Sequence, residues 1–214
     1  IGDCIMALFD RCPDDALRSG IVMMKNLRTL NEEQMKLNRP TVDIGIGVNT
    51  GEMMLGTIGA TGRMEGTVIS DAVNTASRIE ALTKIYGTSL LVSEAVYLKL
   101  ENPGEFSVRI LDRVRVKGRT EPVVIYEVLD ALEHSLGRLR ISYQKDYERA
   151  VRQFWAADFT SAEESFKRCA EIDPSDLAVE LFLRRCRWHS RQKVDTNWTG
   201  AFEVEALQGD LESP

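Results

Sequence analysis

Apolar residues in the first part of the chain recur at two spacings, one typical of helices and one typical of strands. Helical spacing runs over residues 13–35 and ends before Pro40, and the proline and aspartates at its start favour a helix N-terminus. The same spacing returns over residues 71–85, followed by Gly87, a residue that favours a C-terminal cap. The pattern therefore predicts two long amphipathic helices.

Strand-like segments lie between and after these helices. They are short apolar or β-branched runs over residues 4–9, 42–48, 53–58, 89–92, 106–117 and 123–129. The intervening Asn49-Thr50-Gly51 tolerates left-handed backbone angles, so we expect the second and third runs to pair as a hairpin. Ser93 is expected to open a short helix over residues 93–100. Strands and helices mixed in this way indicate an α+β fold.

After about residue 130 the spacing is helical throughout, and no further strand is expected. The order of small and aromatic residues there resembles one tetratricopeptide repeat, in which two antiparallel helices pack: Ala150, Phe159, Ala162, Phe166, Cys169 and Pro174. A single repeat buries little surface, so we expect it to pack on the preceding domain or on a protein partner. Another helix is predicted over residues 177–191, and its C-terminal arginines suit the helix dipole: Arg184, Arg185, Arg187 and Arg191.

These patterns predict three parts. Residues 1–130 form an α+β domain, residues 131–194 a small all-α helical extension, and residues 195–214 an irregular tail without periodicity. The chain begins at Ile1 in the middle of a motif, without an initiator methionine, so we expect it to be a piece of a longer protein.

Composition excludes several classes of protein. The chain has 27 lysines and arginines against 33 aspartates and glutamates, a net charge of −6, and no basic run, so we expect no nucleic-acid partner. Its four cysteines form no Cys-x-x-Cys pair, which favours a cytoplasmic location. No apolar stretch approaches the roughly 20 residues of a membrane-spanning helix, so no membrane contact is expected from this segment. A membrane attachment of the parent would lie outside it.

Residues 45–52 contain three glycines and suggest a nucleotide loop. They lack the Gly-Lys-Ser/Thr ending of a phosphate loop, and Thr50 replaces the third glycine of a dinucleotide fingerprint. By itself the segment favours hairpin structure over a ligand role.

Four separated motifs change this interpretation because they occur together in a characteristic order. The chain resembles a bacterial class III adenylyl or guanylyl cyclase over about residues 1–130, a domain with a ferredoxin-like α+β fold. The motifs are Ile1-Gly2-Asp3, Asn49-Thr50-Gly51-Glu52, the segment from Arg63 to Arg78, and Val116-Lys117-Gly118-Arg119.

The resemblance implies a homodimer with two active sites at its interface, which converts ATP to 3′,5′-cyclic AMP and pyrophosphate with two Mg²⁺ or Mn²⁺ ions per site. By resemblance Asp3 is the second of two metal aspartates, and its alternative is an ordinary turn or cap residue. The family's first metal aspartate and its purine-selecting lysine precede the position of Ile1. One carboxylate is a poor substitute for two, so we expect the chain as given to be inactive or nearly so.

Asn74 and Arg78 lie four residues apart on the second predicted helix and so share one face. By resemblance they are the asparagine and arginine that stabilise the transition state, and an amide and a guanidinium suit a ribose and a phosphate. The alternative is a solvated polar helix face.

Three consecutive residues precede this helix on a predicted strand. By resemblance Thr67 reads the purine edge, which favours ATP, and Val68 and Ile69 contact the ring; a threonine that only fills a strand is the alternative. Lys117 resembles the basic residue that meets the terminal phosphates, or it is a solvated hairpin end.

The motifs depart from the family pattern at two positions. Ser70 replaces a common glycine, and Gly66 stands where an aromatic residue is frequent. Two other functions stay open: a guanylate cyclase, and a non-catalytic dimerisation or interaction module whose helical tail recruits a protein.

Overall fold

The computed structural model describes residues 4–58, 65–115, 121–194 and 196–203, with the backbone alone for residues 55–58, 65–69 and 203. The α+β class expected from the sequence is confirmed. The helices are α1 Pro13–Lys36, α2 Asp71–Tyr86, α3 Glu94–Tyr97, α4 His134–Trp155, α5 Phe159–Ile172 and α6 Leu177–His189. The strands are β1 Ile46–Val48, β2 Met54–Ile58, β3 Glu65–Ile69, β4 Leu90–Ser93, β5 Val108–Arg115, β6 Val123–Val128 and β7 Phe202–Glu203.

Five strands form the main sheet in the order β1-β4-β6-β5-β7. β1 runs parallel to β4, β6 runs antiparallel to both β4 and β5, and β7 runs parallel to β5. β2 and β3 form a separate antiparallel hairpin. The strands expected within residues 106–117 and 123–129 are therefore confirmed as β5 and β6, which pair with each other.

The hairpin expected between residues 42–48 and 53–58 is wrong. β1 pairs with β4, and β2 pairs with the later strand β3. Strand propensity identified both segments, but it carries no information about the partner, because any extended run can offer its backbone groups to any other.

The strand expected over residues 4–9 is also wrong. This segment has no regular structure, and its apolar side chains are exposed, with Ile5 82% and Met6 54% accessible. A strand is stable only when a neighbour satisfies its backbone N–H and C=O groups. None of the described strands pairs with this segment.

Local signals placed the helix ends well. The Ser70 hydroxyl accepts from the Ala72 N–H to cap α2, and Gly87 ends that helix in the left-handed conformation at φ 60°. The Ser93 hydroxyl likewise caps α3. α1 has no side-chain cap and begins with Pro13, whose missing N–H would have no partner inside the helix.

The described residues beyond 130 form three helices, in which α5 packs against both α4 and α6, and one short strand. The expectation of no strand in this region is wrong, because β7 pairs with the edge of β5 at Val114 and Phe202. Two residues in register are too few to produce a recognisable alternation in sequence. Gly200 precedes them at φ 72°, where a Cβ would lie 2.8 Å from the Trp155 Cα.

The sheet separates two hydrophobic cores, and successive residues of β4 face opposite sides. Leu90 and Val92 pack with α1, whereas Leu91 faces the core that α2 shares with the three C-terminal helices. That shared core is continuous from Ile79 on α2 to Phe182 on α6. The helical extension thus packs directly on the α+β part of the chain.

A buried ion cluster joins the extension to the sheet. Arg109 on β5 donates to Glu127 at 2.6 Å and to Asp176 at 2.8 Å, and Arg140 on α4 donates to the other oxygen of Glu127 at 2.6 Å. All four side chains are at most 2% exposed. Burial alone would raise the pKa of Asp176, but the charges of Arg109 and Arg140 lower it below its usual value.

Candidate active site

Five of the seven residues expected to carry the chemistry lie on one continuous unit, β3 followed by α2. In β3, the backbone of Thr67 is opposite Gly56, that of Val68 opposite Leu55, and that of Ile69 opposite Met54. Ser70 connects this strand directly to the first turn of α2. The segment expected to contact the purine and the helix with Asn74 and Arg78 are therefore joined by a single residue.

Ser70, which departs from the glycine usual in the family, has a definite role in this connection. Its hydroxyl accepts from the Ala72 N–H at 2.9 Å and donates to the Glu52 carbonyl at 2.6 Å. It therefore caps α2 and ties the start of that helix to the segment after β1.

Asn49 forms a second hydrogen-bonded link to the first turn of α2. Its amide Nδ2 donates to the Ala72 carbonyl at 3.1 Å, and its Oδ1 accepts from the Ser93 hydroxyl at 2.7 Å. Ser93 ends β4, so Asn49 bridges the end of the sheet to the start of α2. A Cβ at Gly51 would lie 2.8 Å from the Ala72 Cβ, so this position requires glycine for close approach.

The glycines before Asn49 allow α2 to lie directly on β1. A Cβ at Gly47 would overlap the Ala76 carbonyl oxygen and the Glu80 backbone, and one at Gly45 would overlap the Thr83 hydroxyl. These glycines therefore accommodate a helix rather than a hairpin. The sequence signal was a glycine at alternate positions of a strand, which marks close backbone approach.

Substitution of Gly47 by alanine is expected to destabilise the fold by about 1–3 kcal/mol, because α2 must move away from β1 to admit the methyl group. Urea unfolding measures the change. The matched control is Gly104→Ala, since a Cβ at Gly104 meets nothing within 4 Å. Equal unfolding midpoints for the two variants would show that the contact between β1 and α2 tolerates extra volume.

Asn74 and Arg78 occupy successive turns of α2, outside the row of residues that this helix buries. Asn74 is exposed and Arg78 is half-buried, whereas Thr75, Ile79 and Leu82 are buried. Among the described residues, neither Asn74 nor Arg78 makes a side-chain hydrogen bond or an ion pair. Their amide and guanidinium donors are therefore uncommitted within that part of the chain.

Asp3 and Lys117 lie outside the described residues. β5 ends at Arg115, two positions before Lys117, and β6 begins at Val123. In the described ranges, no group of three or more histidine, cysteine, aspartate or glutamate side chains could hold a metal ion.

The sequence matches the family of adenylate and guanylate cyclase catalytic domains over residues 1–129. The chain belongs to this family. It is 47% identical over 134 residues to an adenylate cyclase of Anabaena cylindrica, an alignment that covers 60% of this chain and 27% of that protein.

A second relative extends the likeness past the cyclase domain. The terminal-differentiation specific adenylate cyclase of Dictyostelium discoideum is 33% identical over 195 residues, covering 87% of this chain and 9% of the relative. An alignment of that length includes part of the helices that follow residue 129. The chain spans about a quarter or less of the length of these two relatives.

The fold is similar to that of a bacterial light-regulated adenylyl cyclase, with a TM-score of 0.51 and 25% identity over 66% of this chain and 41% of that structure. The family is generally metal-dependent. None of the described helices is both long and apolar enough to cross a membrane.

Proposed function

We propose that this chain is the catalytic part of an adenylate cyclase that converts ATP to 3′,5′-cyclic AMP and pyrophosphate for intracellular signalling. Membership of the cyclase family and the two adenylate cyclase relatives support this activity. The observation that carries it is the uncommitted pair Asn74 and Arg78 on α2. These donors are available to a nucleotide because α2 presents them without partners among the described residues, directly after the proposed purine-contacting strand.

Each residue has a proposed role in the reaction. Arg78 donates to the α-phosphate as negative charge develops on it, and Asn74 orients the ribose, both from positions fixed by α2. Thr67 contacts the purine edge and, with Val68 and Ile69, forms one side of the base site. Lys117 binds the terminal phosphates.

We propose that Asp3 is one ligand of a Mg²⁺ or Mn²⁺ site. When bound, such ions lower the pKa of the attacking 3′-hydroxyl and neutralise phosphate charge. The other metal aspartate and the purine-selecting lysine are proposed to come from residues N-terminal to Ile1. A homodimer is proposed to complete each site.

The protein is proposed to be cytoplasmic. The free thiols of its four cysteines support this location.

The helices after residue 130 are proposed to form a tetratricopeptide-like pair that also serves as a site for a protein partner. Support comes from the burial of the repeat-like positions where α4 and α5 pack together: Ala150, Phe159, Ala162, Phe166 and Cys169.

A cyclase assay with Mg²⁺ or Mn²⁺, and with ATP or GTP, tests the proposal by mass spectrometry of the products. The chain as given is expected to turn over at least about 100-fold more slowly than a longer chain carrying the preceding residues of its gene. The longer chain is expected to prefer ATP. Equal turnover by both chains would contradict the incomplete metal site, and a longer chain inactive on both nucleotides would contradict the cyclase assignment.

A further inference from the structure

The last turn of α2 ends in a buried polar contact with the helical extension. Tyr86, the final residue of α2, donates its hydroxyl to Asp112 on β5 at 2.6 Å. Arg185 on α6 forms an ion pair with the same carboxylate oxygen at 2.5 Å and reaches the Tyr86 hydroxyl at 3.4 Å. All three side chains are at most 4% exposed.

Aromatic rings enclose this contact. The Arg185 guanidinium lies 3.8 Å from the ring centre of Phe202 on β7 and 5.2 Å from that of Phe182 on α6. Phe202 is held there because β7 pairs with β5 beside Val114. Rings on two sides keep water from the ion pair, so the pair holds a more defined geometry than a surface pair does.

Arg185 differs in this respect from its neighbours on the same helix. Arg184 is 43% exposed and lies 3.9 Å from Glu180, and Arg187 is 56% exposed. Proximity to the helix C-terminus explains these surface arginines, but it does not explain a buried guanidinium directed at another element.

Two further contacts hold the end of α2 against the extension. A Cβ at Gly87 would lie 2.8 Å from the Leu177 side chain at the start of α6. The hydroxyl of Thr88 donates to Glu127 at 2.7 Å, the carboxylate that also accepts from Arg140 on α4. The C-terminal end of α2 is therefore fixed at three points by contacts that involve the extension.

We propose that Arg185 is a positioning residue for the cyclase reaction and acts through Tyr86 on the catalytic helix α2. This inference rests on the proposed function, since it concerns the same site. Tyr86 lies eight residues after Arg78, about 12 Å along the same helix. An α-helix of this length moves nearly as one body, so an anchor at its last turn also sets the direction of Asn74 and Arg78. Residues of the extension thereby help to position Asn74 and Arg78.

Two observations support a shared unit over an independent appended domain. One hydrophobic core contains residues of both α2 and α6. The alignment with the Dictyostelium adenylate cyclase also continues into the extension.

The test compares Arg185→Met and Tyr86→Phe with the matched control Arg184→Met. Cyclase activity is measured in the form of the protein that shows it, and amide exchange over residues 71–86 is measured in the chain as given. Both variants are expected to lower kcat about tenfold or more with KM for ATP changed less than twofold, because small displacements of catalytic groups affect the transition state strongly. Exchange in α2 should rise while exchange in α4 stays constant, and Arg184→Met should match the unmodified protein.

If Arg185→Met fails to fold, Tyr86→Phe still tests the positioning role, because this variant keeps the ion pair between Arg185 and Asp112. An unchanged kcat in a folded Tyr86→Phe protein, or exchange that rises equally in α2 and α4, would overturn the positioning role. If no form shows cyclase activity, the proposed function fails by itself. The exchange measurement then still tests the coupling between Arg185 and α2.

Discussion

Replacement of Asn74 or Arg78 by alanine is expected to reduce cyclic AMP formation about 10²- to 10³-fold and to leave the melting temperature unchanged. The two side chains contribute donors that act on charge as it develops in the transition state. They have no hydrogen-bonding or ionic partners among the described residues, so their replacement breaks no such contact in that part of the chain. Product formation and thermal unfolding are measured on the form of the protein that shows cyclase activity.

The matched control for Arg78→Ala is Lys84→Ala, which removes another positive charge from an exposed position of the same helix. It should retain full activity. Arg78→Lys should recover only part of the loss, because an ammonium keeps the charge but not the planar fork. Activity of Arg78→Ala within twofold of the unmodified protein would instead favour a solvated polar helix face.

Substitution of Arg140 by methionine is expected to destabilise the protein by about 3–5 kcal/mol. The change leaves Glu127 and Asp176 paired with Arg109, and it removes the arginine that pairs with buried Asp173. For a chain of this length, such a loss corresponds to a fall in melting temperature of about 6–20 °C. Calorimetry or urea unfolding measures it at neutral pH.

The control for Arg140 is Arg149→Met, on the same helix but 54% exposed and paired only at the surface with Asp146. It is expected to change stability by less than about 1 kcal/mol. If the two variants unfold at the same midpoint, the buried cluster does not hold the extension to the sheet.

The same cluster predicts a pH dependence of stability. Burial raises the pKa of Asp173 and of Asp176. At Asp173 the hydrogen bonds from Ser175 and the charge of Arg140 together outweigh it, and at Asp176 the charges of Arg109 and Arg140 do so, so both pKa values are lowered overall. A carboxylate with a lowered pKa contributes stability above its unfolded pKa and loses it as the pH falls through the folded value. The difference between the unmodified protein and Arg140→Met should therefore shrink below about pH 4. A difference independent of pH would contradict this account.

Much of the secondary structure was predictable because its signals are local. The apolar spacing of α1 and α2, the serine caps and Gly87 each depend on residues within one or two turns. Asn74 and Arg78 could likewise be placed on one face from their spacing alone, since a regular helix fixes that relation.

Strand partners and close packing were not predictable in the same way. Gly45 and Gly47 were interpreted as part of a hairpin, whereas in the structure α2 lies against them. β7 has too few residues to show a pattern. The sequence did not reveal the contacts of Asn49 and Ser70. Asn49 joins Ser93 at the end of β4 to the Ala72 carbonyl, and Ser70 donates to the Glu52 carbonyl; these partners are distant in sequence or are backbone groups.

By itself the sequence determined the helices, the α+β class and the cyclase family, since periodicity, capping residues and ordered motifs can be identified without knowledge of the tertiary structure. Only the tertiary structure decided that the helical extension shares a core with α2 and that Arg185 meets Tyr86 and Asp112. The physical reason is that a buried ion pair forms only where elements distant in sequence pack around it and exclude water. That outcome follows from the packing of the whole chain and from no single segment of it.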